Sequence, residues 1–304
     1  MAQVKHRPYK NEHDLLAMRQ FVQSCRQISG DKLSTLHVGD LSWRMGRSLD
    51  FNPQKDIHLW EHKDGRLVGF AWFTSEHNGV DIQVHPQWHT IGLEQHILQA
   101  VEAETKRQRV TPAAILRVGC YEKQFTRQRM LTKRGYTQDL FHYVHFWRPL
   151  SQPIATPQLK SGFTIRSTQP EETRARATLH NDAFLAQEVT TESYRNVMKA
   201  PDYQHELDLV VVAPNGRLAA FALCWLDPVN KVGLFEPVGT HPDFRRLGLG
   251  QAIVTAGLHA LKSHGMTSAW VYTESPNLAA QRLYTSAGFA VAGKQHDYVK
   301  PLSR

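Results

Sequence analysis

The residues with the clearest chemistry run Gly233-Leu234-Phe235-Glu236-Pro237-Val238-Gly239-Thr240, then His241-Pro242-Asp243-Phe244, then Arg245-Arg246-Leu247-Gly248-Leu249-Gly250-Gln251-Ala252. The first stretch reads as a strand, and the glycines open a helix. Gly248 and Gly250 lack Cβ atoms, so the turn can bend sharply and a ligand can approach the main chain. Unpaired amides at a helix start, with the positive end of its dipole, attract an anion. Arg245 and Arg246 add charge, and a pyrophosphate suits this arrangement best. A bare Gly-x-Gly also fits an ordinary turn, so the preceding strand and following helix matter. The dinucleotide fingerprint needs Gly-x-Gly-x-x-Gly, and a P-loop needs Gly-Lys-Ser/Thr; neither is present.

The elements that must position this loop occur twice. Asp64-Gly65-Arg66-Leu67 with Phe70-Ala71 is matched by Asn215-Gly216-Arg217-Leu218 with Phe221-Ala222. Asp-Gly and Asn-Gly between strand-like runs predict two hairpins with type I′ turns. The segment from His85 to Leu98 aligns without gaps to that from His241 to Val254, with six of fourteen positions identical. Arg134-Gly135-Tyr136 mirrors Ala287-Gly288-Phe289, and Phe146-Trp147-Arg148-Pro149-Leu150 mirrors Tyr298-Val299-Lys300-Pro301-Leu302. Four matches in one order mark a tandem duplication.

Residues 151–162 contain two prolines and end in glycine, the composition of an extended linker. The expected organisation is a first domain over 1–150, a linker over 151–162 and a second domain over 163–304. Each copy begins with a short strand, Val4 to Tyr9 or Phe163 to Arg166, followed by helix, hairpin, strand, helix, strand, helix and strand. The fold class is α/β, with a mixed, mostly antiparallel twisted sheet flanked by helices in each domain.

Arg245-Arg246-Leu247-Gly248-Leu249-Gly250 resembles the Arg/Gln-x-x-Gly-x-Gly/Ala signature of the Gcn5-related N-acetyltransferase (GNAT) family. The run from Asn277 through Leu283-Tyr284 to Gly288-Phe289 resembles its second signature. The resemblance covers residues 163–302 directly and 4–150 through the repeat. It implies acetyl-CoA or another acyl-CoA as co-substrate, with no metal, and transfer to an amine by direct attack. It further implies that Val238, Gly239 and Thr240 pair with the pantetheine arm and that amides of Arg246 to Gln251 hold the pyrophosphate. Asn277 would also touch the cofactor, and Tyr284 would stand near the thioester sulfur. A phenol there can protonate the leaving thiolate; its bland alternative is packing beside Leu283 and Phe289. Glu236 lies two residues before Val238, on the same strand face, and is the first candidate for general base. Glu274 and His241 are weaker candidates. Cys224 reads as a buried strand cysteine. The acceptor is a small molecule or a peptide amine; Tyr194, Tyr203, His205 and Trp225 are candidates to meet it, each more readily structural.

The first copy departs from the pattern. Glu94 stands for Gly250, His89 and Thr90 for Arg245 and Arg246, Leu131 for Tyr284, Gln124 for Asn277 and Val80 for Glu236. Cradle, acid and base change together, so this half is expected not to bind acyl-CoA productively. Roles open to it are shaping the acceptor cleft, binding the acceptor or forming a homo-oligomer contact.

The totals agree with a soluble two-domain enzyme: 304 residues, 41% hydrophobic and 21% charged. Cys25, Cys120 and Cys224 are too few for a disulfide framework or a cysteine zinc site, which favours a reducing cytoplasm. The start, MAQVKHRPYKNEHD, lacks the apolar stretch of a secretory signal, and no run suits a membrane helix. His58 and His62 lack a third metal ligand by spacing. Net charge is +8, and the first 150 residues hold 21 Lys and Arg against 15 Asp and Glu. Clusters at Lys106, Arg107 and Arg109, and at Lys123, Arg127, Arg129, Lys133 and Arg134, read first as solvated helix faces. No nucleic-acid motif accompanies them, so nucleic acid is disfavoured as a partner. The rival from another class is a non-catalytic acyl-CoA-binding or regulatory module whose basic first half engages an anionic partner. A transferase with aminoacyl-tRNA as donor is a third, against which the pyrophosphate cradle weighs.

Overall fold

The computed structural model describes residues 4–30, 35–74, 79–108 and 115–302, except for the side chains of residues 90, 91 and 108. Arg109 and the side chain of Thr90 lie outside the described residues. In the first half, β1 (Val4–Pro8) leads into α1 (Glu12–Ser29), α2 (Val38–Gly46) and the short α3 (Pro53–Asp56). A meander of β2 (Ile57–His62), β3 (Leu67–Thr74) and β4 (Gly79–Val84) follows. Then come α4 (Leu93–Gln108), β5 (Ile115–Tyr121), α5 (Phe125–Lys133) and β6 (Thr137–Pro149). The second half repeats the order: β7 (Thr164–Ser167), α6 (Thr173–Phe184), α7 (Thr191–Met198), β8 (Asp208–Val212), β9 (Leu218–Asp227) and β10 (Val232–Thr240). It closes with α8 (Leu249–Ser263), β11 (Ser268–Glu274), α9 (Leu278–Ser286) and β12 (Ala290–Pro301).

Local chemistry explains the punctuation. The Asn11 side chain accepts a bond from the His13 amide at 3.0 Å and caps α1, and Gly30 ends that helix at a φ of 61°. Both hairpins form, but not with the expected type I′ turns. Gly65 and Gly216 have positive φ, whereas Asp64 and Asn215 do not. The His62 amide bonds the Arg66 carbonyl and the Gly65 amide bonds the His62 carbonyl, both at 2.9 Å; Ala213, Gly216 and Arg217 repeat this. Each loop therefore has three residues, a type I turn followed by a left-handed glycine. Pro214 suits such a turn because its fixed φ matches the first central position.

The strands form one mixed sheet of twelve, in the order β1-β2-β3-β4-β5-β12-β6-β11-β10-β9-β8-β7. The halves do not keep their last strands. β6 runs antiparallel to β11, from Pro149 opposite Ser268 to Tyr143 opposite Glu274. β12 runs antiparallel to β5, from Tyr121 opposite Gln295 to Ile115 opposite Pro301. β6 and β12 also pair with each other, so the exchange is reciprocal and joins the halves at the centre.

Helices cover both faces. Apolar residues of α8, including Ile253, Val254, Leu258 and Leu261, pack on one side of the second half, and Leu93, Ile97, Leu98 and Val101 of α4 do the same in the first. A third cluster crosses the join, with Trp43 and Tyr121 packed among Tyr194, Val197, Trp225 and Trp270. Polar contacts also cross it: Ser42 Oγ donates to Asp202 at 2.7 Å, Arg19 pairs with Asp202, and His37 Nε2 meets the Val232 carbonyl at 3.1 Å. This packing sets α2 of the first half against β9 and β10 of the second.

Candidate active site

The site grows from an interruption in β10. Its ladder with β9 shifts between Phe235 and Val238. Pro237 has no amide to donate, so the ladder cannot run through it, and Glu236 and Pro237 bulge out. The Trp225 indole donates to the Glu236 carbonyl at 2.6 Å and pins the bulge. β10 and β11 are paired only from Val232–Ser268 to Leu234–Trp270, beyond which they splay apart. In the first half β4 and β5 pair only at Gly79–Arg117 and Val80–Val118. The two splays face each other across β6 and β12, and between them lies a cavity of about 540 Å³.

Glu236, Val238, Glu274, Asn277 and Tyr284 all line this cavity. Tyr284 is 5% exposed, with Phe146 and Phe289 rings centred 5.7 and 6.1 Å away. Burial, reinforced by the charge of Glu236, pushes its phenol pKa well up, so it remains protonated. The Asn277 side chain accepts from the Ala280 amide at 3.1 Å and caps α9.

Behind the strand, β10 runs out through Gly239 and Thr240 to the start of α8. Gly248 has a φ of 79° with nothing within 4 Å of its missing Cβ, and Arg246 has a φ of 65°. The Ala252 amide bonds the Gly248 carbonyl at 3.0 Å, which leaves the amides before it as the helix's orphan donors. A Cβ on Gly250 would sit 3.3 Å from Leu283, so the passage between α8 and α9 is narrow there. Leu249 is buried and Leu247 half-buried, anchoring the turn in the core, while Arg246 is exposed. The Arg245 guanidinium donates to the carbonyls of Ala183 at 2.9 Å and Thr240 at 3.3 Å, and so braces the loop. Gln251 accepts from Ser286 at 2.6 Å. The main-chain donors and open space suit a diphosphate, and the adjoining cavity suits an acyl group and its acceptor.

Other candidates sit elsewhere. His241 is held by Asp182, Asp243 and Arg217 and does not line the cavity. Cys224 is fully buried, and burial pushes its thiol pKa up. Tyr194 and Tyr203 donate to Asp208 at 2.6 and 3.1 Å, and neither they, His205 nor Trp225 lines the cavity. Residues with no motif to mark them do: Asp40, Arg44, Asp81, Tyr143, His145, His180 and Tyr272. Tyr272 donates to Asp40 at 2.9 Å, and Arg44 pairs with Asp81. Only the pairing of β6 across the join brings Tyr143 and His145 here, and no local pattern could reveal that.

The corresponding place in the first half is closed. Glu94, in the first turn of α4, is 5% exposed, pairs with Arg127 and lies 3.6 Å from His89. Burial pushes its carboxyl pKa up, but Arg127 and His89 more than offset this and hold it at about 2. β4 pairs with β3 without a break from Thr74–Gly79 to Gly69–Val84, so it has no bulge. Leu131 is fully buried where the second half has Tyr284. Within the basic clusters Arg107 pairs with Glu104, Arg127 with Glu94 and Arg134 with Glu102, while Lys106, Lys123, Arg129 and Lys133 are exposed. Among the described residues, no three His, Cys, Asp or Glu side chains are grouped to hold a metal ion, and no helix is long and apolar enough to cross a membrane.

Comparison with known proteins places these features. Residues 174–289 match the acetyltransferase (GNAT) family model. The mycothiol acetyltransferase of Kineococcus radiotolerans is 27% identical over 254 residues, covering 79% of this chain and 80% of that protein. That of Salinispora arenicola is 28% identical, covering 75% of this chain and 76% of its own. A GCN5-related N-acetyltransferase from Sphaerobacter thermophilus superposes with a TM-score of 0.71 at 19% identity, covering 99% of this chain and 96% of that one. A tandem GNAT protein from the clavulanic acid biosynthesis pathway gives 0.72 at 16% identity, covering 99% of both chains. These likenesses agree on one description: an enzyme of the acetyltransferase class with the GNAT-superfamily fold, its large mixed sheet built from two halves in tandem.

Proposed function

We propose that residues 163–304 transfer an acetyl group from acetyl-CoA to an amine, and that residues 1–150 are a degenerate copy that builds the acceptor side of the cavity. The observation that carries this reading is the meeting of Tyr284, Glu236 and the bulged strand in one cavity, with an amide-rich helix start directly behind it. The amides from Arg246 to Gln251 would hold the diphosphate, and Val238, Gly239 and Thr240 would run beside the pantetheine arm. The amine nitrogen attacks the thioester carbon, forming the C–N bond. A strand amide near Val238 would receive the developing oxyanion. As the C–S bond breaks, Tyr284 protonates the departing thiolate; Glu236, directly or through water, takes the proton from the amine.

The mycothiol acetyltransferases support a small-molecule amine as acceptor. The retention of Tyr284 in the cavity weighs against the rival binding-module reading. Replacing Tyr284 with Phe tests the mechanism. Turnover at saturating substrate should fall about a hundredfold, with acetyl-CoA affinity by calorimetry nearly unchanged. Undiminished turnover would remove Tyr284 as proton donor.

A further inference from the structure

The opening turn of α2 meets three neighbouring strands of the second half, β9, β10 and β11. His37 Nδ1 accepts from the Gly39 amide at 3.0 Å, so the ring's proton is on Nε2, which donates to the Val232 carbonyl of β10 at 3.1 Å. One carboxylate oxygen of Asp40 accepts from the His37 amide at 2.7 Å. The other accepts from the Tyr272 hydroxyl of β11 at 2.9 Å. Gly39 lies against Trp225 of β9, where a Cβ would stand 2.3 Å from the Cβ of Trp225 and 2.4 Å from its Cγ. Only glycine lets α2 come this close.

Trp225 links this turn to the chemistry. It stands opposite Leu234, and its indole reaches two residues along β10 to the Glu236 carbonyl, at 2.6 Å. The ladder passes from Phe235–Cys224 to Val238–Ala222, so Glu236 and Pro237 together face Leu223 alone. A bulge of this kind gives up ladder bonds and re-aims the backbone beyond it. The indole N–H supplies a donor where the strand has lost its own.

The two halves differ here as well. Phe70-Ala71 aligns with Phe221-Ala222, which sets Thr74 at the position of Trp225, and β4 pairs with β3 without a bulge. The indole and the bulge occur together in the second half. Trp225 is fully buried, packed with Trp43 of α2 among its neighbours, so its ring cannot swing away without displacing the first half.

Resting on the acetyl-transfer reading above, we infer that Trp225 is a positioning residue, clamped from the first half by the turn that holds His37 and Gly39. It fixes the Glu236–Pro237 bulge so that a strand amide near Val238 meets the thioester carbonyl. The closed copy thus sets the geometry of the open copy's strand in addition to walling its cavity.

The probe is acetyl-CoA with an isotope label at its acetyl carbonyl, bound to the full chain and read by difference infrared spectroscopy, which needs no acceptor. An amide donating to this carbonyl polarises it and lowers its stretching frequency below that of free acetyl-CoA. Trp225→Phe keeps a ring but loses the N–H donor. Its band should return most of the way toward the free frequency, with acetyl-CoA still bound by calorimetry. Gly39→Ala keeps the indole and crowds it from the first half, so its band should move in the same direction; it decides alone if Trp225→Phe does not fold. Ser42→Ala breaks a bond of the same helix to Asp202, not to β9, β10 or β11, and should leave the band in place. A band unshifted in the unaltered chain, one that stays put in Trp225→Phe or Gly39→Ala, or one that moves equally in Ser42→Ala overturns the inference while acetyl-CoA binding still stands. Failure of the unaltered chain to bind acetyl-CoA removes the acetyl-transfer reading and this inference with it.

Discussion

The start of α8 and the start of α4 are the same loop with opposite contents. In the second half Gly248 faces open space, and no side-chain carboxylate lies among residues 245–251. In the first half Glu94 supplies the anion internally and Arg127 neutralises it. β10 bulges at Glu236–Pro237, whereas β4 stays in register throughout. The comparison teaches that two copies of one loop can keep the same backbone course while a buried ion pair, Glu94 with Arg127, occupies one of them. The closed copy is then free to contribute walls, here α2, β4 and β5, to its partner's cavity.

The largest expected effect breaks the closed copy. Arg127→Ala leaves Glu94 buried without its cation and should cost about 3–5 kcal/mol of stability, read as a fall in the urea midpoint. Replacing both residues, as Glu94→Gln/Arg127→Met, should cost much less. Equal losses would show that the ion pair does not fill the site.

Next comes the open copy. Gly250→Glu imports the first half's residue and should weaken acetyl-CoA binding about a hundredfold, near 2.7 kcal/mol, with an unchanged far-ultraviolet circular dichroism spectrum. Retained affinity would place the diphosphate elsewhere. A smaller change follows from the strand. Glu236→Gln should lower kcat/KM about tenfold to a hundredfold and flatten the acidic limb of its pH profile, whereas Glu274→Gln at the same splay should leave that limb in place. The smallest effect is the pH dependence of the closed pair. Glu94 has a folded pKa of about 2, below its ordinary value near 4.5, so its stabilisation is complete above about pH 4.5. It disappears as pH falls toward 2, and Glu94→Gln should remove that part of the acid-denaturation slope.

Much of this was legible in the residues. The repeated His-Pro and Gly-Leu positions, the paired turn glycines and the matched terminal strands revealed the duplication. The Gly-x-Gly opening of α8 and the Asn277-to-Phe289 run marked the loop and helix that border the cavity. Other features were not, because they depend on contacts distant in sequence. Reciprocal exchange of β6 and β12 leaves both strand sequences unchanged, so two sheets and one joined sheet read alike. Tyr143, His145 and Asp81 belong to no motif; pairing across the join brings them together. The turn type was misread because Asp-Gly and Asn-Gly serve both two- and three-residue loops. Here the extra Lys63 or Pro214 shifts the closing bond to Arg66 or Arg217.

The most direct test of the contrast between the halves is the stoichiometry of acetyl-CoA binding to the intact chain, measured by titration calorimetry. One molecule per chain, lost on Gly250→Glu, is the expected result. Two molecules per chain, or binding that survives this substitution and disappears with changes around Glu94, would contradict the assignment of one open and one closed copy.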